Sequence, residues 1–323
     1  MSFRSILAKS MALRMAGVMT AAAAALVVVS LSSEPIIHAQ PAQRGAPPKV
    51  HLPDEAVGID GIAGALISVY DQFDVVALGE YHERQIDSNL RIALVRHPDF
   101  AKKVQTIVVE FATTMEQATL DRYIRGEDIS RAQLERVKPR QRGSLVSDDP
   151  IYPDFFAAVR EVNSKLPAAA RIRVFGGEDN QNRVAAAVSI LKEQTLQKHG
   201  KALVIYGAGH FYRAIPEDQP PGNRNTMVTM LEKDFPGRTF AVIPVGGPGD
   251  NAVNYRRFDR ALNTQVRPVL VPAQRLPFRE FTAEEFLGGQ ICHAAPGGCV
   301  SIFKGSTLTL GQMGDAFVYF GRP

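Results

Sequence analysis

The chain has 323 residues, 45% of them hydrophobic and 22% charged, with a formal net charge of +4. That composition excludes a disordered or collagen-like polymer and supplies the core of one large domain or two ordinary ones. Two cysteines are too few for a disulfide-framed scaffold or a cysteine-rich zinc fold, and no concentrated basic face marks a nucleic-acid binder.

Arg4, Lys9 and Arg14 precede an Ala/Val/Leu-rich run, Met15–Leu31, and Ile37-His38-Ala39 offers a cleavage site before Gln40. This layout predicts a signal peptide over residues 1–39 and export to the periplasm or the medium. A membrane anchor is the alternative, because the run approaches spanning length. No cysteine stands at the junction, so no lipid anchor is expected. Cleavage removes those three basic residues and Glu34, which lowers the formal charge from +4 to +2. The sequence pI near 9 is then weak evidence for an acidic partner. The one basic stretch, Arg131–Arg142, is interrupted by Glu135 and reads as a solvated loop. Neither a nucleic-acid partner nor a stable membrane anchor after cleavage is expected.

Residues 40–60 open with a stretch rich in Pro, Ala and Gln and read as a flexible lead-in. Residues 61–323 read as one α/β domain, with its motifs in a core over about 61–247. The apolar segment Ile62–Tyr70 precedes a first strand, Asp74–Leu78. Gln85–Arg96 then places Ile86, Leu90, Ala93 and Leu94 at helical spacing. Thr106–Val109 is a β-branched run leading into Glu110. Met115–Arg125 is helical, and Ser130 caps a further helix with Gln133 at the capping-box position. Pro139–Pro153 contains three prolines and reads as a long loop, either a lid or disordered. Helices follow at Asp154–Lys165, Arg183–Gln197 and Thr226–Asp234, alternating with strands at Ile172–Phe175, Ala202–Tyr206 and Thr239–Val245. Beyond these the pattern weakens, and Val266–Val271 and Ala316–Phe320 are expected as edge strands. Such alternation predicts a mainly parallel central sheet flanked by helices, with right-handed crossovers. Cys292 and Cys299, around Ala-Pro-Gly-Gly, are expected to form one local disulfide in an exported protein.

Two strings carry the chemistry: Gly79-Glu80-Tyr81-His82 and Gly207-Ala208-Gly209-His210. Each follows a strand-like run and puts a histidine three residues past a glycine. Parallel strands bring their carboxyl ends to one edge, so Glu80, His82, Glu110, Glu178, Asp179 and His210 are expected along a single crevice. Taken alone, each string is a turn glycine and a hydrogen-bonded histidine. Asp179 also suits a helix cap, and His97 and His199 suit helix C-termini. Other chemistries fail on the residues present. There is no Gly-x-Ser-x-Gly elbow and no P-loop, and Ile86 stands where a zincin helix needs its second histidine.

The order of these motifs resembles the group containing erythromycin esterases, the Tiki/TraB proteases and the ChaN haem-uptake lipoproteins. The likeness runs from Val75–His82 through Ile107–Phe111 and Leu120–Glu127 to Val204–His210, with a tail, Gly311–Phe320, like that of exported relatives. The resemblance implies Glu80, His82, Glu110 and His210 as site residues, together with an arginine near the first string. Arg91 and Arg84 are the candidates, and Arg91 is preferred because it lies on the following helix. The group includes metal-independent esterases, metal-dependent proteases and haem binders, so the resemblance fixes the site better than the reaction. The expectation is an exported hydrolase of an ester or amide in a small-molecule or peptide substrate. His82 is its general base, held by Glu80 or Glu110, and His210 and Arg91 stabilise the oxyanion. In a metal-dependent version a divalent ion is held by His82, His210 and Glu110. The alternative is haem binding, with Tyr81, His82, Tyr206 and His210 as candidate ligands. Oligomeric state is left open.

Overall fold

Apolar runs buried on both faces make the central strands, as a parallel sheet covered by helices on each side requires. The computed structural model describes residues 52–139, 151–179, 183–219, 224–246, 252–287, 292–295 and 298–321. Its strands are β1 (Ala56–Val57), β2 (Val75–Glu80), β3 (Thr106–Thr113), β4 (Arg173–Glu178), β5 (Ala202–Gly207), β6 (Thr239–Val245), β7 (Val269–Pro272), β8 (Cys292–Ala295), β9 (Gly298–Ser301) and β10 (Ala316–Tyr319). All but β8 and β9 form one sheet in the order β1-β7-β10-β6-β2-β5-β3-β4. From β10 to β4 every neighbour is parallel; β7 and β1 are added antiparallel at one end. The chain builds β3 and β4 to one side of β2, inserts β5 between β2 and β3, and places β6 on the other side. In open α/β sheets such a reversal, here between β2 and β5, is where ligands bind, outside the carboxyl ends of the strands.

Successive residues of β2 point to opposite faces. Val75 and Ala77 join one core, and Val76 and Leu78 join the other. The first core is covered by α7 (Arg183–Gln194) and α8 (Met227–Asp234), the second by α1 (Gly58–Val69), α2 (Gln85–Arg96) and α6 (Ile151–Ser164). The outer edge of β4 is sealed by a side chain. Gln117 donates to Val174 O at 2.8 Å and accepts the Gly176 N–H at 2.9 Å, filling places that another strand would take. Ser130 and Gln133 form the expected capping box.

Several expectations are corrected. The sheet begins inside the expected lead-in, with β1 and α1 both starting before residue 60. Neither expected edge strand is one: β10 lies between β6 and β7, and β7 between β10 and the short β1, which ends the sheet on that side. Helix α6 begins at Ile151, so Tyr152 and Pro153 belong to a first turn rather than a loop. A proline costs nothing there, since first-turn N–H groups have no helical partner. The β8–β9 hairpin sets Cys292 opposite Ser301 and Cys299 opposite Ala294. The cysteine side chains, the expected signal peptide and residues 140–150 of the long loop lie outside the described residues. Among those described, no helix is long and apolar enough to cross a membrane.

Candidate active site

Strand β2 delivers Glu80 as its last residue, with 3% of its surface exposed. Gly79 allows this close packing. A Cβ there would lie 2.7 Å from Pro244 Cδ and 3.2 Å from Ala208 Cα. The chain then turns sharply to present His82. Glu83 adopts φ 62°, a left-handed conformation that a side chain disfavours, so the turn must be held from outside. Two contacts do so: the Glu83 N–H donates to Tyr152 Oη at 3.2 Å, and the Tyr81 N–H donates to Asp87 Oδ1 at 3.4 Å. Arg84 binds Asp87, donates to Gly246 O at 2.7 Å and lies between the rings of Tyr81 and Phe320. Burial pushes the Asp87 carboxyl up to about 6 against the opposing pull of Arg84.

Helical spacing places Arg91 one turn beyond Asp87, on the buried face of α2 that also carries Leu90, Leu94 and Val95. Its Nη1 binds Glu80 Oε2, and the guanidinium lies 5.0 Å from the Tyr152 ring and 5.1 Å from that of Phe111. With 1% of its surface exposed, Arg91 is buried against Glu80.

Glu110 lies inside β3 rather than just after it. Val109 pairs with Gly176 and Thr113 with Glu178, so β3 spends more residues than β4 between the two pairs. An irregularity of this kind re-aims side chains. Backbone from the irregular stretch crowds Gly176, where a Cβ would meet Thr113 O at 2.6 Å. The Glu110 carboxylate accepts the Gly207 N–H at 2.6 Å and faces His82 Nε2 at 3.9 Å and His210 Nε2 at 3.6 Å. Gly207 leaves the space this needs, since a Cβ there would sit 3.1 Å from His82 Nε2. His210 itself comes from a short 3₁₀ turn, Ala208–Phe211, directly after β5.

His82 Nδ1 is 3.2 Å from Glu80 Oε1, which sets the proton on Nδ1 and leaves Nε2 as an acceptor. The side chains of His82 and His210 are 19% and 30% exposed, whereas those of Glu80 and Glu110 are 2% exposed. Imidazoles line the solvent side of the site, with carboxylates behind them. Burial pushes the Glu110 carboxyl up, but His210, His82 and the Gly207 amide prevail and hold it at about 2, below its ordinary 4.5. A depressed carboxyl adds stability that is complete above its unfolded value and is lost as pH falls through its folded one. Wild-type protein is therefore expected to lose stability from about pH 4.5 down to about 2. Thermal melts across that range should show this loss reduced in Glu110→Gln; identical slopes in both proteins would contradict the assignment.

The sequence-predicted residues Glu80, His82, Glu110 and His210 are thus brought together, with Arg91 behind them. Arg84 instead pins the turn to β6 and the tail. Glu178 is buried opposite Thr113, and Asp179 borders residues outside the described set. Sequence reasoning missed Tyr152 and Asp87. The only signal for Tyr152 was the apolar spacing of Ile151, Tyr152, Phe155 and Val159, which extends the helix backward.

Among the described residues, no group of three or more His, Cys, Asp or Glu side chains is arranged to hold a metal ion. Tyr206 has no exposed surface and lies edge-on to His210, with ring centroids 5.6 Å apart. That makes it a member of the core beneath the site.

No family profile matches the sequence, and no curated protein is significantly similar to it. Solved structures are similar in fold. A Bacillus cereus protein solved by structural genomics superposes with a TM-score of 0.53 at 12% identity, covering 82% of this chain and 92% of that one. A succinoglycan biosynthesis protein gives 0.51 at 10% identity, covering 80% and 90%. A variant of erythromycin esterase EreC in its open conformation gives 0.50 at 10% identity, covering 81% and 93%. Over most of its length, this chain has the α/β fold of erythromycin esterase and these two bacterial proteins.

Proposed function

We propose that the protein hydrolyses an ester or amide bond, with His82 as general base. The observation that carries this reading is the buried Glu80 carboxylate on His82 Nδ1, which leaves Nε2 as the acceptor beside a second carboxylate–histidine pair. His82 Nε2 and Glu110 Oε2 are too far apart for a direct hydrogen bond, and their 3.9 Å separation suits one water donating to both. His82 takes a proton from that water as its oxygen bonds to the substrate's carbonyl carbon, and the carbonyl π pair moves onto oxygen. His210, backed by Glu110, stabilises this oxyanion. Collapse re-forms the carbonyl and breaks the bond to the leaving alcohol or amine, which receives the proton from His82. The products are an acid and the leaving group.

The similarity in fold to an esterase supports the reaction class. A panel of esters and amides, assayed with and without chelator, tests the reading. Turnover that persists in chelator and disappears in His82→Ala is expected; no turnover of any member would remove it. Residues 1–39 are read as an export signal, which places the activity outside the cytoplasm. Amino-terminal sequencing of secreted protein should begin at Gln40, and retention of Met1 would contradict export by cleavage.

A further inference from the structure

Tyr152 is fully buried in the first turn of α6, an element that carries none of the groups assigned to the chemistry. Its hydroxyl nevertheless reaches two parts of the site at once. It donates to Glu80 Oε1 at 3.4 Å and accepts the Glu83 N–H at 3.2 Å. Glu80 Oε1 is the same oxygen that faces His82 Nδ1, and Glu83 is the left-handed residue next to His82. The Tyr152 ring lies 4.5 Å from that of Phe111, the neighbour of Glu110, and 5.0 Å from the Arg91 guanidinium. One side chain therefore touches the carboxylate that orients the base and the backbone that carries it.

We propose that Tyr152 is a positioning residue for His82, fixing the imidazole through Glu80 and through the Glu83 turn. A carboxylate bound only by Arg91 on one oxygen would still rock about that contact. A second donor on Oε1 stops the rocking, and with it the drift of the His82 ring. The left-handed turn is held in place by an acceptor for the Glu83 N–H, which ties its backbone to the buried Tyr152 ring. A phenol meets both needs, since its one hydroxyl donates and accepts together. It also keeps its proton: burial, reinforced by the negative charge of Glu80, drives ionisation far above the ordinary range for tyrosine. The catalytic part of this inference rests on the hydrolase reading; the geometric part does not.

Tyr152→Phe keeps the ring and its packing and removes only the hydroxyl. On a substrate found in the panel, kcat is expected to fall about tenfold with KM within about twofold, in a variant whose melt confirms that it is folded. Proton NMR of protein with nitrogen-15-labelled histidine supplies a readout besides activity. The downfield Nδ1–H signal of His82 should broaden or vanish in Tyr152→Phe, because the ring no longer keeps one orientation. Wild-type kcat together with an unchanged Nδ1–H signal would overturn the inference. The two failures are distinguishable. No turnover of any panel member removes the hydrolase reading, and full turnover by His82→Ala removes His82 as its base, while a lost signal in Tyr152→Phe leaves the positioning of the His82 ring standing. An inactive His82→Ala beside a wild-type Tyr152→Phe removes the positioning role alone.

Discussion

His82→Ala is expected to lower kcat/KM for ester hydrolysis by about 10²–10⁴-fold, the range that a positioned general base contributes. The imidazole is the part of the site that solvent reaches, so its removal sacrifices little packing. Glu80 remains bound by Arg91 and Tyr152 after the change, which leaves no buried charge uncompensated. The variant should fold and melt close to wild type, so the loss belongs to the chemical step. Added imidazole should restore part of the rate, because the space vacated beside Gly207 accepts a ring of that size. Turnover within a few-fold of wild type would show that another group takes the proton.

Arg91→Leu carries the largest expected loss of stability. Arg91 and Glu80 form a buried ion pair with side chains 1% and 2% exposed. Removing one partner of such a pair strands the other charge, at a cost of about 3–5 kcal/mol. Urea denaturation should show that loss at neutral pH. Replacing both partners, as Arg91→Leu with Glu80→Leu, should recover much of it, because two apolar side chains leave no charge to compensate. A single variant within about 1 kcal/mol of wild type would mean that Glu80 finds another cation or a proton. Activity should fall in both proteins, since each loses the held carboxylate on His82 Nδ1.

The parts of the site that follow from local pattern were legible in the sequence. Gly79 and Gly207 end apolar runs, and parallel pairing alone brings Glu80 and His210 to one edge. Arg91 was reached through the resemblance and its place on the helix after the first string; that it is buried on the phase of Leu90, Leu94 and Val95 is seen only in the fold. Glu110 was found, but not the way it is aimed. The irregular pairing between β3 and β4 arises from tertiary packing around Gly176, and no local propensity announces it. Tyr152 was hidden because Pro150 and Pro153 read as loop residues, although a proline is tolerated in a first turn. The placement of β10 was missed for a related reason. Its four residues show strand character, but which strands flank it depends on where the chain returns across the sheet.

The claim that both Gly-x-x-His strings serve one reaction is tested most directly by kcat/KM for His82→Ala, His210→Ala and the variant carrying both changes. Groups acting on the same transition state are strongly non-additive, so the double variant should be no more than a few-fold worse than the poorer single one. Losses that multiply across the two positions would contradict a shared site and return each histidine to its own turn.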